Sequence, residues 1–340
     1  MIRWECVMEF LSQYGLFLAK TITIVVATLA IIGGTVVLLF RSQIKPKEHL
    51  EIKHLNRDYE AMANALQGAM LSKKEFKAKL KALKKQHKAE EHGKAPPRRK
   101  LFVLNFHGDI RATEVAKLRE EITAVLTVAT PEDEVLLRLE SPGGVVHSYG
   151  LAASQLLRLR EQKINLTVAV DKVAASGGYL MACVADRIIA APFAVVGSIG
   201  VVSQLPNFNR LLRKNDIDFE QFTAGEYKRT VTLFGEITDK GREKFQQEIE
   251  EVHDLFKDFV KEHRGKMDID KVATGEHWYG AQAVALNLID ELRTSDDYLL
   301  AASKTADLFE VNYIGKKPLM ARLLSLGTRA LGLAGNDLLR

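Results

Sequence analysis

Residues 134–144 read EVLLRLESPGG, and residues 164–179 read INLTVAVDKVAASGGY. Each stretch begins with a short apolar run and ends in a turn that contains two adjacent glycines. Apolar runs of this length, bounded by turn residues, are typical of buried strands. Similar runs occupy 101–106 and 187–190, and helical patterns lie between them at 113–129 and 148–162. Strands that alternate with helices predict an α/β fold built from βαβ units around a parallel sheet.

The two glycine pairs fall where such a sheet places its functional groups, at the carboxyl ends of strands. Glycine lets backbone N–H groups face a site with no side chain in the way. The second turn also puts Ser176 directly before a helix, where free N–H groups and the helix dipole favour a developing negative charge. This arrangement suits a nucleophile beside oxyanion donors. The alternative is that Ser176 only caps the helix, as serine often does.

A nucleophilic serine needs a base, and the sequence offers few. No histidine lies between His147 and His253, so His147 and His107 are the histidine candidates, although a structural imidazole is the more common role for a histidine in such positions. Lysine is the other option, because Ser-Lys pairs catalyse acyl transfer on several folds.

Two lysines follow strand-like runs. Lys228 lies in the loop TAGEYKRT (223–230), after a predicted strand at 217–222. Lys172 also follows a strand, but it stands beside Asp171 and is typical of a surface charge.

Four motifs in this order resemble the signal peptide peptidase family, most closely its branch of inner-membrane peptidases. They are SPGG (141–144), DKVAASGGY (171–179), GSIG (197–200) and GEYK (225–228). The resemblance spans about 100–315 and includes WYGAQAVALNLIDEL (278–292), in which Asn287 stands where the family often has glycine.

The resemblance implies a Clp protease/crotonase-like fold and a Ser-Lys dyad without metal or cofactor. It makes Ser176 the nucleophile and Lys228 the general base, with Ser198 helping to hold the lysine amine. The backbone N–H groups of Gly144 and Gly177 would bind the oxyanion. The family also implies homo-oligomers, in which the serine and the lysine can come from neighbouring protomers. A lysine base must be neutral, so the assembled site has to disfavour its charged form by burial.

The N-terminal part contains a hydrophobic segment. Residues 21–40 read TITIVVATLAIIGGTVVLLF, without a single charge. A helix of this length spans about 30 Å, the thickness of the hydrocarbon core of a bilayer. The run ends in LLFRSQ, which is a poor cleavage site, so we predict an uncleaved transmembrane helix at 21–40 after a flank at 1–20.

A basic segment follows the apolar one. Residues 41–100 carry 17 Lys and Arg against seven Asp and Glu, while the whole chain has a net charge of +5. We predict a basic helical stalk at 41–99, helical from about residue 50 to 92, that lies near anionic lipid. No aromatic residues interleave with its lysines, which argues against nucleic-acid binding. GKAPPRR (93–99) marks the boundary to a peptidase domain at 100–315. A basic and apolar tail follows at 316–340, and its composition is compatible with a second contact to the membrane surface but does not establish one.

The side of the membrane is ambiguous from sequence. The positive charges after residue 40 favour a cytoplasmic catalytic domain. The family resemblance instead favours the far side of a bacterial inner membrane.

We therefore expect a membrane-anchored serine endopeptidase that hydrolyses peptides or membrane-derived fragments such as signal peptides. Two rival functions remain at this stage. One is an acyl-CoA hydratase or hydrolase of the crotonase type, and the other is a non-catalytic membrane scaffold. An amphipathic helix predicted at 238–264 has a packing or subunit-contact role in all three hypotheses.

Overall fold

The computed structural model describes residues 2–43, 48–91 and 98–315. Within these ranges the strands, in chain order, are β1 (His49–His54), β2 (Arg99–His107), β3 (Glu134–Glu140), β4 (Asn165–Val170), β5 (Val173–Ala175), β6 (Arg187–Ala190), β7 (Val195–Gly197), β8 (His277–Tyr279), β9 (Glu291–Leu292) and β10 (Ala306–Ile314). The helices are α1 (Ile2–Gln43), α2 (Leu55–Met70), α3 (Lys73–Glu91), α4 (Val115–Leu126), α5 (Val146–Glu161), α6 (Gly177–Ala182), α7 (Asn209–Lys214), α8 (Asp239–His263), α9 (Ile269–Val272), α10 (Gly280–Ala283) and α11 (Ser295–Ala302).

Helix α1 contains the whole of the predicted span. Its apolar stretch Ser12–Gly34 has a mean hydropathy of 2.2 and is long enough to cross a membrane, alone among the helices in the described ranges. Three threonine hydroxyls, those of Thr21, Thr23 and Thr28, donate to the carbonyl four residues earlier at 2.7–2.8 Å. These bonds satisfy polar groups that would be costly to leave unpaired in hydrocarbon.

The main sheet has the strand order β1-β10-β2-β3-β4-β6-β9. Its pairs from β10 through β9 are all parallel, as the βαβ pattern predicts. The four sequence-predicted strands correspond to β2, β3, β4 and β6, and the two predicted helices to α4 and α5. The expected α/β class is confirmed.

Apolar side chains alternate along the strands and fill both faces of the main sheet. On one face, strand residues such as Leu104 and Leu137 form a large core with α4, α5 and α6, and Leu156 of α5 is part of it. On the other face, Val103 and Leu136 belong to a smaller core that α11 and β10 complete. The rigid sheet fixes the positions of the turns at its carboxyl ends.

A second, three-stranded sheet has the order β5-β7-β8, with β5 parallel and β8 antiparallel to β7. The apolar run 188–203 contributes most of β6 and the whole of β7, so this run forms short strands and not a long helix.

The region predicted as a helical stalk differs from expectation. Residues 49–54 form a strand at the edge of the main sheet, so the prediction of helix from residue 50 is wrong at its start. The side-chain amide of Asn56 then donates to the carbonyls of Ser303 and Ala306 and accepts from the N–H of Leu308. As a result, the compact unit that holds the sheet spans Leu50–Ile314 and begins well before residue 100, where we had placed the boundary.

The strand predicted at 217–222 does not form. Between β7 and α8 the only regular element in the described chain is the short helix α7. Ile217, Phe219 and Phe222 are exposed, and no described strand lies beside them to supply backbone partners. An apolar pattern alone cannot make a strand without such a partner.

The long C-terminal helix is confirmed as α8. The hydroxyl of Thr238 accepts from the N–H of Gly241 and caps its start, and Val260 is fully buried near its end. The tail predicted at 316–340 lies outside the described residues.

Candidate active site

The two glycine-rich turns lie against each other and are joined by backbone hydrogen bonds. The N–H of Ser141 donates to the carbonyl of Val173 at 2.8 Å, and the N–H of Ala175 donates to the carbonyl of Ser141 at 3.0 Å. These bonds continue the pairing of strands past the end of β3. The sequence 141–144 is thereby held beside the residues that precede Ser176.

Ser176 has a backbone conformation that normally favours glycine, with φ 51° and ψ −118°. A non-glycine residue in such a conformation costs on the order of 1–3 kcal/mol and persists only where the surroundings enforce it. Its N–H donates to the carbonyl of Gly197 at 2.8 Å, and α6 begins at the next residue. The side chain makes no capping hydrogen bond, so the interpretation of Ser176 as a simple helix cap is wrong. Its half-buried hydroxyl is left available for chemistry.

Glycine is required at two positions of the turn that packs against this serine. Gly143 has φ 90°, and a Cβ atom there would lie 2.8 Å from Ser176 Cβ and 2.7 Å from the backbone nitrogen of Gly177. A Cβ on Gly144 would lie 2.1 Å from the carbonyl oxygen of Ile110. Any side chain at these positions would force the turns apart.

Two backbone donors close to the serine are unused. Among the described residues, neither the N–H of Gly144 nor that of Gly177 has a hydrogen-bond partner. The N–H of Gly177 belongs to the first turn of α6, where the helix itself supplies no acceptor. Free N–H groups beside a nucleophile are what a tetrahedral oxyanion needs.

Ser198 lies next to the carbonyl that holds Ser176. It shares the positive φ of Ser176, at 51°, and its N–H donates to the carbonyl of Glu276 at 2.7 Å. Its hydroxyl makes one long contact, 3.5 Å from the carbonyl oxygen of Gly275. The GSIG segment is therefore brought to the serine through Gly197, and the Ser198 hydroxyl is only weakly engaged.

Lys228 lies in a different environment. It closes a turn in which its N–H donates to the carbonyl of Gly225 at 3.2 Å, and its side chain is exposed. Within the described chain, its amine makes no hydrogen bond or ion pair with Ser176 or Ser198. Neighbouring charges are already paired: Glu226 contacts Lys240, and the hydrogen bond from that amine is the main reason the pKa of Glu226 is lowered.

The alternative bases have other surroundings. His147 is exposed on the first turn of α5 and makes no hydrogen bond to Ser176 in the part of the chain that the structure describes. His107 and Lys172 both lie beside Glu140, at 3.7 Å and 3.0 Å, on the outer surface. The ion pair of Lys172 fits the surface charge that the sequence suggested.

Sequence reasoning missed two side chains under this site, Ser141 and Tyr149. Both are completely buried, and their hydroxyl oxygens are 2.6 Å apart. The SPGG motif contains Ser141, but only its glycines had been given a role. Tyr149 carries no local signal, because an aromatic residue on an apolar helix face is normally part of the core.

A strained serine with a free hydroxyl, next to two unused N–H donors on an α/β scaffold, is the constellation of a serine hydrolase. Comparison with known proteins narrows this class. The chain matches "Peptidase family S49 N-terminal" over residues 9–156 and "Peptidase family S49" over residues 158–309. It belongs to peptidase family S49.

The curated relatives agree with this assignment. The chain is 52% identical over 330 residues to "Probable protease SohB" of Haemophilus influenzae, covering 92% of both chains. It is 48% identical over 328 residues to the protein of the same name from Buchnera aphidicola subsp. Acyrthosiphon pisum, covering 95% of this chain and 96% of the relative. A solved structure, the 1510-N membrane-bound stomatin-specific protease with a substrate peptide, aligns at 13% identity and a TM-score of 0.41 over 68% of this chain and 99% of that one.

The expectations of an α/β fold, of the signal peptide peptidase resemblance and of peptidase activity are confirmed, and the acyl-CoA and scaffold alternatives are set aside. The chain is a serine peptidase with an apolar N-terminal helix suited to membrane anchoring.

Proposed function

We propose that Ser176 is the nucleophile and Lys228 the general base of a Ser-Lys peptidase. Ser198 helps to hold the lysine amine, and the N–H groups of Gly144 and Gly177 bind the oxyanion. The observation that carries this proposal is the backbone of Ser176, whose left-handed φ presents a free hydroxyl beside two unpartnered donors.

The reaction follows from these roles. The neutral amine of Lys228 takes the proton of the Ser176 hydroxyl as its Oγ attacks the carbonyl carbon of the scissile peptide bond. The negative charge on the carbonyl oxygen is stabilised by the two N–H donors. The lysine then gives its proton to the leaving amine, which produces an acyl-enzyme. Water, deprotonated by the same lysine, hydrolyses the ester and restores the serine.

A fluorophosphonate probe tests these assignments directly, since it labels only activated serines. We expect labelling of the wild-type protein and none of Ser176→Ala or Lys228→Ala. Lys172→Ala is the matched control, because it removes a lysine near the same sheet edge that is already paired with Glu140. Labelling of Ser176→Ala at the wild-type rate would exclude Ser176 as the nucleophile.

We further propose that the site is completed by a second copy of this chain. In the single chain Lys228 is exposed, and it lies in a segment, 201–238, with little regular structure. That segment also exposes many large apolar side chains, namely Val202, Leu205, Phe208, Leu211, Ile217, Phe219, Phe222, Leu233 and Phe234. An apolar surface of this extent is typical of an interface. Burial between copies would also give the lysine the apolar surroundings that its role as a base requires.

Complementation distinguishes a shared dyad from one within a protomer. Ser176→Ala and Lys228→Ala are each inactive, but co-assembled copies would pair an intact serine with an intact lysine if the dyad is shared. We expect activity to return in the mixed oligomer. A mixture that forms oligomers yet stays inactive would show that both residues act within one protomer.

The natural setting proposed is a bacterial inner membrane, with peptides or membrane-derived fragments such as signal peptides as substrates. Helix α1 supplies the anchor, and exposed lysines of α3, including Lys73, Lys77 and Lys81, suit anionic lipid headgroups. Deleting residues 1–40 should release the protein from membranes on carbonate and high-salt washing. Retention of the truncated protein after both washes would contradict the single-anchor proposal. Protease accessibility of segment 41–100 in intact spheroplasts determines the side of the catalytic unit.

A further inference from the structure

A directed line of hydrogen bonds runs beneath the two glycine turns. The hydroxyl of Tyr149 donates to the backbone carbonyl of Asp109 at 2.8 Å. Because a carbonyl oxygen can only accept, the single proton of Tyr149 is committed to Asp109. The Ser141 hydroxyl, 2.6 Å away, must therefore donate to Tyr149. This leaves the Ser141 oxygen to accept from the N–H of Gly143 at 3.1 Å. Each group in the line has one defined role.

The line is sealed from solvent and tightly enclosed. Ser141 and Tyr149 are each 0% exposed. A Cβ atom on Gly108 would lie 2.3 Å from the Ser141 hydroxyl oxygen and 2.4 Å from that of Tyr149. Burial raises the pKa of Tyr149, so its hydroxyl stays protonated as a donor. Water has no room to replace either hydroxyl if it is removed.

Tyr149 contacts the backbone on both sides of the nucleophile. A Cβ atom on Gly177 would lie 2.5 Å from Cγ of the Tyr149 ring, so the ring packs directly under the residue that carries one oxyanion donor. Through Ser141, its hydroxyl holds Gly143, whose neighbour Gly144 carries the other donor. One side chain thus fixes the separation between two peptide groups that come from different turns.

We propose that Tyr149, acting with Ser141, is a positioning residue that holds the N–H groups of Gly144 and Gly177 at the spacing an oxyanion requires. This inference rests on the proposed oxyanion role of those two groups. Tyr149 touches neither the substrate nor the reacting atoms, and acts only through the two turns.

The effect should appear in the transition state and not in substrate binding. Removal of a whole oxyanion donor lowers kcat by about 10²–10³-fold. Loss of the Tyr149 hydroxyl leaves both donors present but lets the SPGG turn relax, so a loss of about 10-fold or more is expected from misplacement. Ground-state binding of the peptide does not use the oxyanion contact fully, and KM should change little.

The experiment compares Tyr149→Phe and Ser141→Ala with wild type in the full-length, detergent-solubilised protein. Their kcat and KM are measured on a fluorogenic peptide that the wild type cleaves. The inhibition constant of a peptide aldehyde is measured alongside, because the aldehyde forms a tetrahedral adduct with the serine whose oxygen occupies the oxyanion site. We expect kcat to fall about 10-fold or more, KM to stay within about twofold, and the inhibition constant to rise in proportion to the loss of kcat/KM.

Tyr179→Phe is the matched control for stability. Tyr179 is also 0% exposed, and its hydroxyl donates to a backbone carbonyl, that of Leu288, at 2.9 Å, away from the SPGG turn. We expect a similar change in Tm for Tyr179→Phe and Tyr149→Phe but wild-type kcat only for the control. The inference is overturned if Tyr149→Phe keeps wild-type kcat, or if both tyrosine variants lose kcat in step with Tm. An active Ser176→Ala would instead overturn the proposed nucleophile, so the two failures are distinguishable.

Discussion

The two halves of the proposed dyad lie in regions of opposite character. The turns around Ser176 are bound to each other, to β7 and to α5 through backbone hydrogen bonds and contacts that tolerate only glycine at several positions. The segment 201–238, which carries Lys228, contains one short helix and exposes most of its large apolar side chains. With the roles proposed for these residues, one chain would assemble the nucleophile and the oxyanion site by itself, whereas the base would need a surface supplied by a second copy.

The largest expected effect comes from a change in the well-packed turns around Ser176. Ser176→Ala should abolish peptidase activity while leaving Tm within about a degree of wild type, because the lost hydroxyl makes no hydrogen bond in the described chain and the backbone conformation is unchanged. Activity on a fluorogenic peptide and thermal unfolding by circular dichroism measure both quantities. Ser154→Ala, which removes an exposed hydroxyl on α5, is the control. A Ser176→Ala protein of normal activity would remove this residue from the mechanism.

The next effect concerns Lys228 in the exposed segment 201–238. Lys228→Arg should be nearly as inactive as Lys228→Ala, since a guanidinium does not release its proton near neutral pH. A purely electrostatic role would instead survive in part with arginine. Substantial activity of Lys228→Arg at pH 7–8 would contradict the assignment of Lys228 as the general base and make His147 the candidate base.

A third, smaller effect tests whether the exposed segment is an interface. Phe222 is 89% exposed in the single chain, so Phe222→Asp should leave Tm of the α/β unit unchanged. If copies pack on this segment, the buried charge should shift the protein to a smaller oligomer, seen by light scattering, and lower activity about 10-fold or more. Val128→Asp, an exposed apolar position just after α4, is the control. Unchanged oligomer size and activity in Phe222→Asp would exclude this part of the segment from the interface.

The smallest expected effect concerns Glu121, which is buried on α4, away from the glycine-rich turns. Burial raises the pKa of Glu121 to about 7, although the N–H of Tyr313 and the amine of Lys117 oppose the shift. A carboxyl whose pKa is higher in the folded state than in the unfolded chain stabilises the fold at low pH, and this contribution is lost as pH rises through about 7.

Glu121→Gln should therefore gain Tm relative to wild type by a few degrees more at pH 8 than at pH 5.5. Thermal scans across this pH range test the difference. The exposed neighbour Glu120, as Glu120→Gln, should show no such trend. A constant difference between Glu121→Gln and wild type would contradict the assigned titration.

The accuracy of the strand predictions also differs between the packed sheet and the exposed segment. β6 matches its predicted bounds because a short apolar run, buried after its first residue and bounded by turn residues, has few other structures available to it. β1 was missed because HLEIKH alternates weakly and becomes a strand only by pairing at an existing sheet edge. The strand predicted at 217–222 is the opposite case: its pattern favours a strand, but its apolar residues pair with no strand within the described chain. Local pattern predicts an element well only where its partners lie in the same core.

The site shows the same limit. Ser176, Gly144 and Gly177 could be proposed from sequence because glycine pairs after strands have a local signature. Tyr149 could not, because its proposed role depends on contacts with Ser141 and Asp109, which come from two different loops. The place of Lys228 could not be fixed either, since a loop lysine acquires its function from what surrounds it in the assembled protein.

The positive φ of Ser176 affects how this position can change in evolution. Glycine adopts this conformation without strain, so Ser176→Gly should fold to a more stable protein than the active enzyme. With Ser176 as the proposed nucleophile, stability and function would favour different residues at this position. Cellular quality control, which recognises unfolded chains, would not remove the inactive glycine form. Selection for peptide hydrolysis would therefore be what keeps a serine at this turn. Without that selection, we expect relatives that have glycine here and are well folded but inactive.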